Sequence, residues 1–486
     1  MDSLLHLLAS GAGNLAAYLA AHVLLCLLPA FFIAGAMSAL IPKPSITRWL
    51  GRNTPARVSY PAAAAAGSLL AVCSCTIVPL FAGIYRKGAG LGPAITFLFF
   101  APAGNILALS YTGTILGAEF AIARFALCLL FGIGIGLIMA LLFWRDDASH
   151  DAQTDALFAG DAKVGAAATG VLLSLLAVLL AGTLKWSLLA APIATVELPV
   201  GWAGAWQGVL SNWVPFDAAK GEEGVSVQGS LLIVLLIVIG VAAWRGLDDI
   251  IEGANRWTWT ALGLAAATLL VAAVRLVPTA NGLAVEVTWR AVAVGATLCA
   301  AACFGARLPA ERGRAWLWET WRFVKQIFPL LVVGVFLVGV LRQLIQPEWI
   351  EALAGRNDVT ANAVAVAFGV FMYFPTLVEV PVAHMFRDLG MHPGPLLAYL
   401  MSDPELSLQS MLMVAAVIGR AKTFAYVALV AGFSIAAGLL YGAYVDGVHL
   451  GLIALGLLGC LASIAVVLTA LNGRRSRALP LKGEHA

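Results

Sequence analysis

Two cysteines one residue apart, Cys73-Ser74-Cys75, precede Pro79 in an apolar run. On a regular helix, residues two apart point to nearly opposite faces, whereas an unwound segment puts them on one face. A break at Pro79 would present both thiols together, and paired thiolates suit soft, thiophilic ions and transition metals. The alternative is that both cysteines serve as small apolar packing residues. Glu379 lies in the apolar run Tyr373–Val382. An ionisable side chain at membrane depth costs several kcal/mol, so it faces a cavity or a partner. Glu379 is therefore read as a proton carrier or a polar contact for a solute, with a structural ion pair as the alternative. Asp403 and Glu405 are further candidates for proton coupling. Yet Ser402-Asp403-Pro404-Glu405 reads first as a helix start, with a capping Asp, Pro in the first turn and an acid near the positive dipole end. Asn105 is a candidate polar contact, since its amide both donates and accepts. Cys299 and Cys303 share a helix face among small residues that suit close helix packing. Cys26, Cys128 and Cys460 read as single packing residues.

These groups recur in a repeated frame. Shifted by 302 positions, Pro79 meets Pro381, Gly88 meets Gly390, Gly92-Pro93 meets Gly394-Pro395, and Pro102 meets Pro404. Gly67 and Gly117 meet Gly369 and Gly419, and at a shift of 304 Gly51-Arg52-Asn53 meets Gly355-Arg356-Asn357. Proline in a membrane helix frees a backbone carbonyl that needs another partner. Pro79, Pro102, Pro381 and Pro404 are accordingly candidate helix breaks, two per repeat. Repeat 2 lacks the cysteine pair: Pro375 and Leu377 occupy its matching positions.

The elements that would carry this frame are membrane helices. Hydrophobic residues make up 61% of the 486 and charged residues 11%, where a soluble domain carries roughly 25% charged. Mean hydropathy is +0.92. Many stretches approach the length of about 20 apolar residues that a span needs. Their dense apolarity excludes an outer-membrane barrel, whose strands alternate. The expected fold is all-α and polytopic. It comprises repeat 1 (10–145), a linker with inserted membrane helices (146–310), repeat 2 (311–446), and a terminal helix with a basic tail (447–486). Trp186, Trp202, Trp206 and Trp213 are read as interfacial anchors of the insert. Corresponding loops carry opposite charge: Lys43, Arg48, Arg52 and Arg57 against Glu348, Glu351, Arg356 and Asp358, then Glu119 against Arg420 and Lys422. Under the positive-inside rule the repeats are inverted, as in many secondary transporters. Treating Ser59–Arg86 and its counterpart as re-entrant hairpins gives about eleven crossings, N-terminus out and C-terminus in. Met1-Asp2 lacks a basic leader, so no cleaved signal is expected. The net charge of +3 does not call for a nucleic-acid partner. Seven cysteines, mostly in apolar segments, form no secreted disulfide framework.

The run CSCTIVPLFAGIYRKGAGLGPAITFLFFAPAGNILAL, with the Glu379–Pro381, Gly390, Gly394-Pro395 and Asp403-Pro404 series, strongly resembles the predicted-permease family of YraQ-type proteins and ArsP organoarsenical efflux permeases. The resemblance covers both repeats and leaves out the insert and the tail. It implies a multi-pass inner-membrane permease exporting a small molecule or metalloid, with trivalent organoarsenicals held by thiols. Cys73 and Cys75 match the family's cysteine motif and would take that role. No enzymatic activity, cofactor or resident metal is expected, and no Walker A nucleotide loop is present. A membrane dithiol redox protein and a channel are the competing readings. Redox dithiols usually have the wider CxxC spacing.

Overall fold

The computed structural model describes residues 2–21, 23–52, 54–69, 74–149, 165–183, 187–214, 224–279, 282–342, 352–371 and 376–478. In lipid, backbone polar groups must be satisfied within the segment, and these apolar runs accordingly form helices. The first segment holds α1 (Asp2–Ala21), α2 (Val23–Leu40), α3 (Lys43–Leu50), α4 (Ala56–Leu69), α5 (Ser74–Arg86), α6 (Leu91–Ala103), α7 (Ile106–Ile115) and α8 (Ala118–Leu142). The middle segment contains α9 (Ala166–Thr183), α10 (Ser187–Ala190), β1 (Pro192–Leu198), α11 (Ala203–Trp213), α12 (Val227–Leu247), α13 (Arg256–Ala273), β2 (Arg275–Thr279), β3 (Gly282–Thr288) and α14 (Trp289–Ala306). The last comprises α15 (Ala310–Arg342), α16 (Val359–Phe371), α17 (Thr376–Asp388), α18 (Pro393–Leu406), α19 (Leu408–Ile418), α20 (Arg420–Val445) and α21 (Leu450–Ala478). Among the described residues, seven helical stretches are long and apolar enough to cross a membrane, and shorter apolar helices accompany them. The chain is a polytopic, essentially all-α membrane protein.

Several elements of the outer segments match at the 302 offset. α5 and α17 have equivalent bounds, α6 and α18 start at equivalent residues, and so do α8 and α20. Four glycines with positive φ pair in the same way: Gly88 (90°) with Gly390 (91°), and Gly117 (106°) with Gly419 (88°). Gly90 N–H donates to Leu50 O at 2.7 Å, and His392 N–H to Ala354 O at 3.0 Å. These two bonds bring the chain before α4 beside the chain after α5, and likewise around α16 and α17. The open ends of each helix pair thus lie on one side; the residues that join the two helices of each pair, 70–73 and 372–375, lie outside the described residues. Close approach is matched too. A Cβ on Gly136 would lie 2.7 Å from Gly92 O, and one on Gly438 would lie 2.7 Å from Gly394 O. The two segments pack together through α6 on α18, α7 on α17, α5 on α19 and α8 on α20. Equivalent Phe131 and Phe433 stack at 5.0 Å, and Phe120, at the start of α8, meets Tyr441, near the end of α20, at 5.0 Å. α8 and α20 therefore run antiparallel about their own equivalent midpoints.

The middle segment supplies four apolar helices, as expected, and one feature that the all-α reading lacked. β1, β3 and β2 form an antiparallel sheet in that order, with Thr195 opposite Glu286 and Leu276 opposite Val285. Trp202, Trp206 and Trp213 are exposed on or beside α11, and Trp206 Nε1 donates to Ser230 Oγ at 3.2 Å. Trp186 and the linker 151–164 lie outside the described residues.

Candidate functional site

The site begins where helices stop. α6 ends at Ala103, and Asn105 opens α7 as its N-cap. Asn105 Oδ1 accepts from Ala108 N at 2.8 Å, while its Nδ2 donates to Ala101 O at 2.9 Å and Pro102 O at 3.1 Å. One amide thus satisfies donors of the new helix and orphan carbonyls of the old one. In the other half Ser407 separates α18 from α19. The chain is therefore interrupted in both halves shortly after Pro102 and Pro404. Pro79 and Pro381 lie inside α5 and α17 instead; one missing donor near a helix start removes a single bond and leaves the helix unbroken. The helix-start reading of Ser402-Asp403-Pro404-Glu405 does not hold either. That run closes α18, because Pro404 removes only its own N–H and the last turn continues through Leu406.

Arg124, one and a half turns into α8, occupies the gap. Its side chain is fully buried. Nε donates to Ala103 O at 3.1 Å and Nη1 to Thr112 Oγ1 at 3.0 Å. Nη2 donates to Glu379 Oε1 at 2.8 Å and to Leu400 O at 3.1 Å. Each acceptor has a reason to be available. Ala103 O belongs to the open end of α6. Leu400 O stands four residues before Pro404, which has no N–H to give it. Thr112 Oγ1 donates to Ala108 O at 2.7 Å and keeps lone pairs for the guanidinium. Glu379, equally buried, neutralises the charge. The planar fork of arginine thus ties α6, α7 and α8 to α17 and α18, and with them the two matched segments. Removing one partner of such a pair costs about 3–5 kcal/mol, since the other charge is left buried. Cys128 also reaches Ala103 O, at 3.7 Å.

The residue equivalent to Arg124 is Tyr426, and the residue equivalent to Ala103 is Glu405. Tyr426 Oη donates to Glu405 Oε2, so the second half repeats the contact with different chemistry. Both side chains are buried, as are Asp403, Ser402, Ser407 and Gln409. Glu379 Oε2 and Glu405 Oε1 have no hydrogen-bond partner among the described residues.

Of the residues singled out in the sequence, Glu379, Asp403, Glu405 and Asn105 are described here and all are buried. Glu379 and Glu405 come within electrostatic reach of each other. Cys73 lies outside the described residues. Cys75 falls within α5, with its side chain outside them. Sequence reasoning passed over Arg124 and Tyr426. Arg124 had a signal: it is the one basic residue in the apolar run Phe120–Trp144. Tyr426 had only its alignment with Arg124.

Charged groups from both segments also meet at one end of the molecule. Arg86 pairs with Glu319 at 3.5 Å, Arg52 with Asp147 at 3.8 Å and Lys422 with Asp146 at 3.4 Å. Burial lowers the Lys87 ammonium there to about 8, against the opposing pull of Glu319. A polar cavity of about 380 Å³ opens at this end, lined by Tyr85, Arg86, Asp146, Ser149 and Lys422 among others.

A family model described as a predicted permease matches residues 8–443. The UPF0718 protein of Methanocaldococcus jannaschii is 30% identical over 425 residues, which cover 87% of this chain and 93% of that protein. An alignment so long takes in much of 146–310, so the likeness reaches beyond the two outer segments to which the motifs alone confine it. No solved structure matches the chain.

Proposed function

This chain belongs to the predicted-permease family, and on that premise we propose that it is a secondary transporter exporting a small thiophilic solute, such as a trivalent organoarsenical. The observation that carries the reading is the buried Arg124–Glu379 pair, set at the interrupted helices where the two segments meet. A charge pair is expensive inside an apolar bundle and weak as a source of stability. Its placement beside opened backbone suits a centre that rearranges as a solute passes, in the manner of transporters with discontinuous helices. Cys73 and Cys75 would hold the solute's soft atom, with Glu379 as a polar contact for it. The cavity beside Arg86 and Lys422 would admit it from the basic, cytoplasmic side.

The test is a tolerance screen of cells expressing the protein, with methylarsenite among the thiophilic compounds. Wild type should raise tolerance, and Cys73→Ser and Cys75→Ser should each abolish the gain at equal expression. Absence of tolerance to every thiophilic compound would remove the solute assignment. A gain that survives both serine variants would remove the thiols from the mechanism.

A further inference from the structure

The two halves of the site are equivalent in backbone and unlike in charge. Arg124 gives Glu379 a full cationic partner at 2.8 Å, and that carboxylate is compensated. Glu405, at the position equivalent to Ala103, has among the described residues the neutral hydroxyl of Tyr426 as its hydrogen-bond partner. Among the described residues, the titratable groups that act on it are Tyr426 from α20, Glu379 from α17 and Cys128 from α8, with Asp403 on its own helix and Arg124 of α8 facing Glu379. Only one of these is a cation, and four donor contacts already engage it. A second carboxylate beside Glu379 would carry an uncompensated charge in the apolar centre, at a cost of several kcal/mol. The open oxygen, Oε1, has no partner among the described residues, while Oε2 accepts from Tyr426. That division fits a carboxylic acid with its O–H on Oε1.

Building on the transporter reading, we infer that Glu405 holds the coupling proton as a neutral acid, with Tyr426 positioning it and Arg124 keeping Glu379 ionised. The proton leaves Oε1 for water of one compartment and is replaced from the other. The carboxylate left behind is tolerable only when water or solute has entered the centre, which links proton release to passage. A sodium ion is the competing occupant, since it too would compensate the carboxylate, and the experiment separates the two.

The experiment is infrared spectroscopy of the purified full-length protein in lipid nanodiscs at neutral pH, in H2O and D2O. Wild type should show a deuterium-sensitive band of a protonated carboxyl group. Glu405→Gln should lose it, Asp403→Asn should retain it, and Tyr426→Phe should shift it by removing the hydrogen bond. Glutamine matches the shape of the neutral acid, so Glu405→Gln should unfold at the wild-type temperature. A band that persists in Glu405→Gln overturns the assignment, as does its loss on adding sodium chloride. The readout involves no solute. Loss of the band in Glu405→Gln, together with failed methylarsenite tolerance, would keep the proton site and discard the solute. The reverse pair of results would discard the proton site alone.

Discussion

Arg124 unites observations that look separate in the sequence. Its donors take up a helix-end carbonyl, a carbonyl released by proline, a threonine hydroxyl and a carboxylate. Lysine could keep the charge but has three donors and no planar fork. Arg124→Leu should destabilise the protein by about 3–5 kcal/mol, because Glu379 is left buried without its counter-charge. Arg124→Leu combined with Glu379→Leu should recover most of that loss, since an apolar pair removes both desolvation costs. Thermal unfolding of the two single variants and the double variant, in one detergent, measures the coupling. Additive losses would mean that the pair contributes nothing as a pair. Arg124→Lys should fold and yet transport poorly, because its ammonium cannot reproduce the planar fork.

Helix interruptions and close crossings make room for that arginine. Pro404→Ala would restore an N–H to Leu400 O and compete with Nη2 of Arg124 for it. The expected result is a protein at least as stable as wild type, because an interior proline costs a helix about 3 kcal/mol, but slower in transport. Unchanged flux would show that the released carbonyl is not needed. Glycine does different work at the α6–α8 and α18–α20 crossings, where Gly136 and Gly438 each leave only 2.7 Å between an added Cβ and a carbonyl oxygen. Gly136→Val and Gly438→Val should each cost about 1–3 kcal/mol through overpacking. Gly240→Ala is the control, since nothing lies within 4 Å of its added Cβ. Equal melting temperatures for all three would refute the crossing argument.

Considered as one molecule, the chain has an antiparallel relation at its centre. α8 and α20 are equivalent and cross about Phe131 and Phe433 in opposite directions. If both span the bilayer, equivalent residues must face opposite compartments. Glu119 and Ala421 are such a pair, both exposed and offset by 302. In a background with its cysteines replaced by serine, Glu119→Cys should react with an impermeant maleimide from outside. Ala421→Cys should react only after the membrane is opened. Labelling of both from one side would overturn the inversion. Thr195, on the exposed strand β1, should behave like Glu119, because the basic residues Arg245, Arg256 and Arg307 lie at the other ends of the inserted helices.

The sequence alone determined the membrane class and marked the recurring prolines and glycines. Apolar density dictates helices in lipid, and glycines that need positive φ keep their spacing when a segment is duplicated. It also marked Glu379, because charge inside an apolar run stands out at any distance from its partner. The hairpin of β2 and β3 was not read, because its short strands are outweighed by the helical composition around them. Only the tertiary structure decided which proline mattered and what Glu379 faces. A freed carbonyl becomes part of a site only if a donor reaches it, and Arg124 is 276 residues from Leu400. The contrast between Arg124 and Tyr426 emerged in the same way. Alignment pairs two positions, but only packing shows that each points at an acid or a carbonyl of the neighbouring helix.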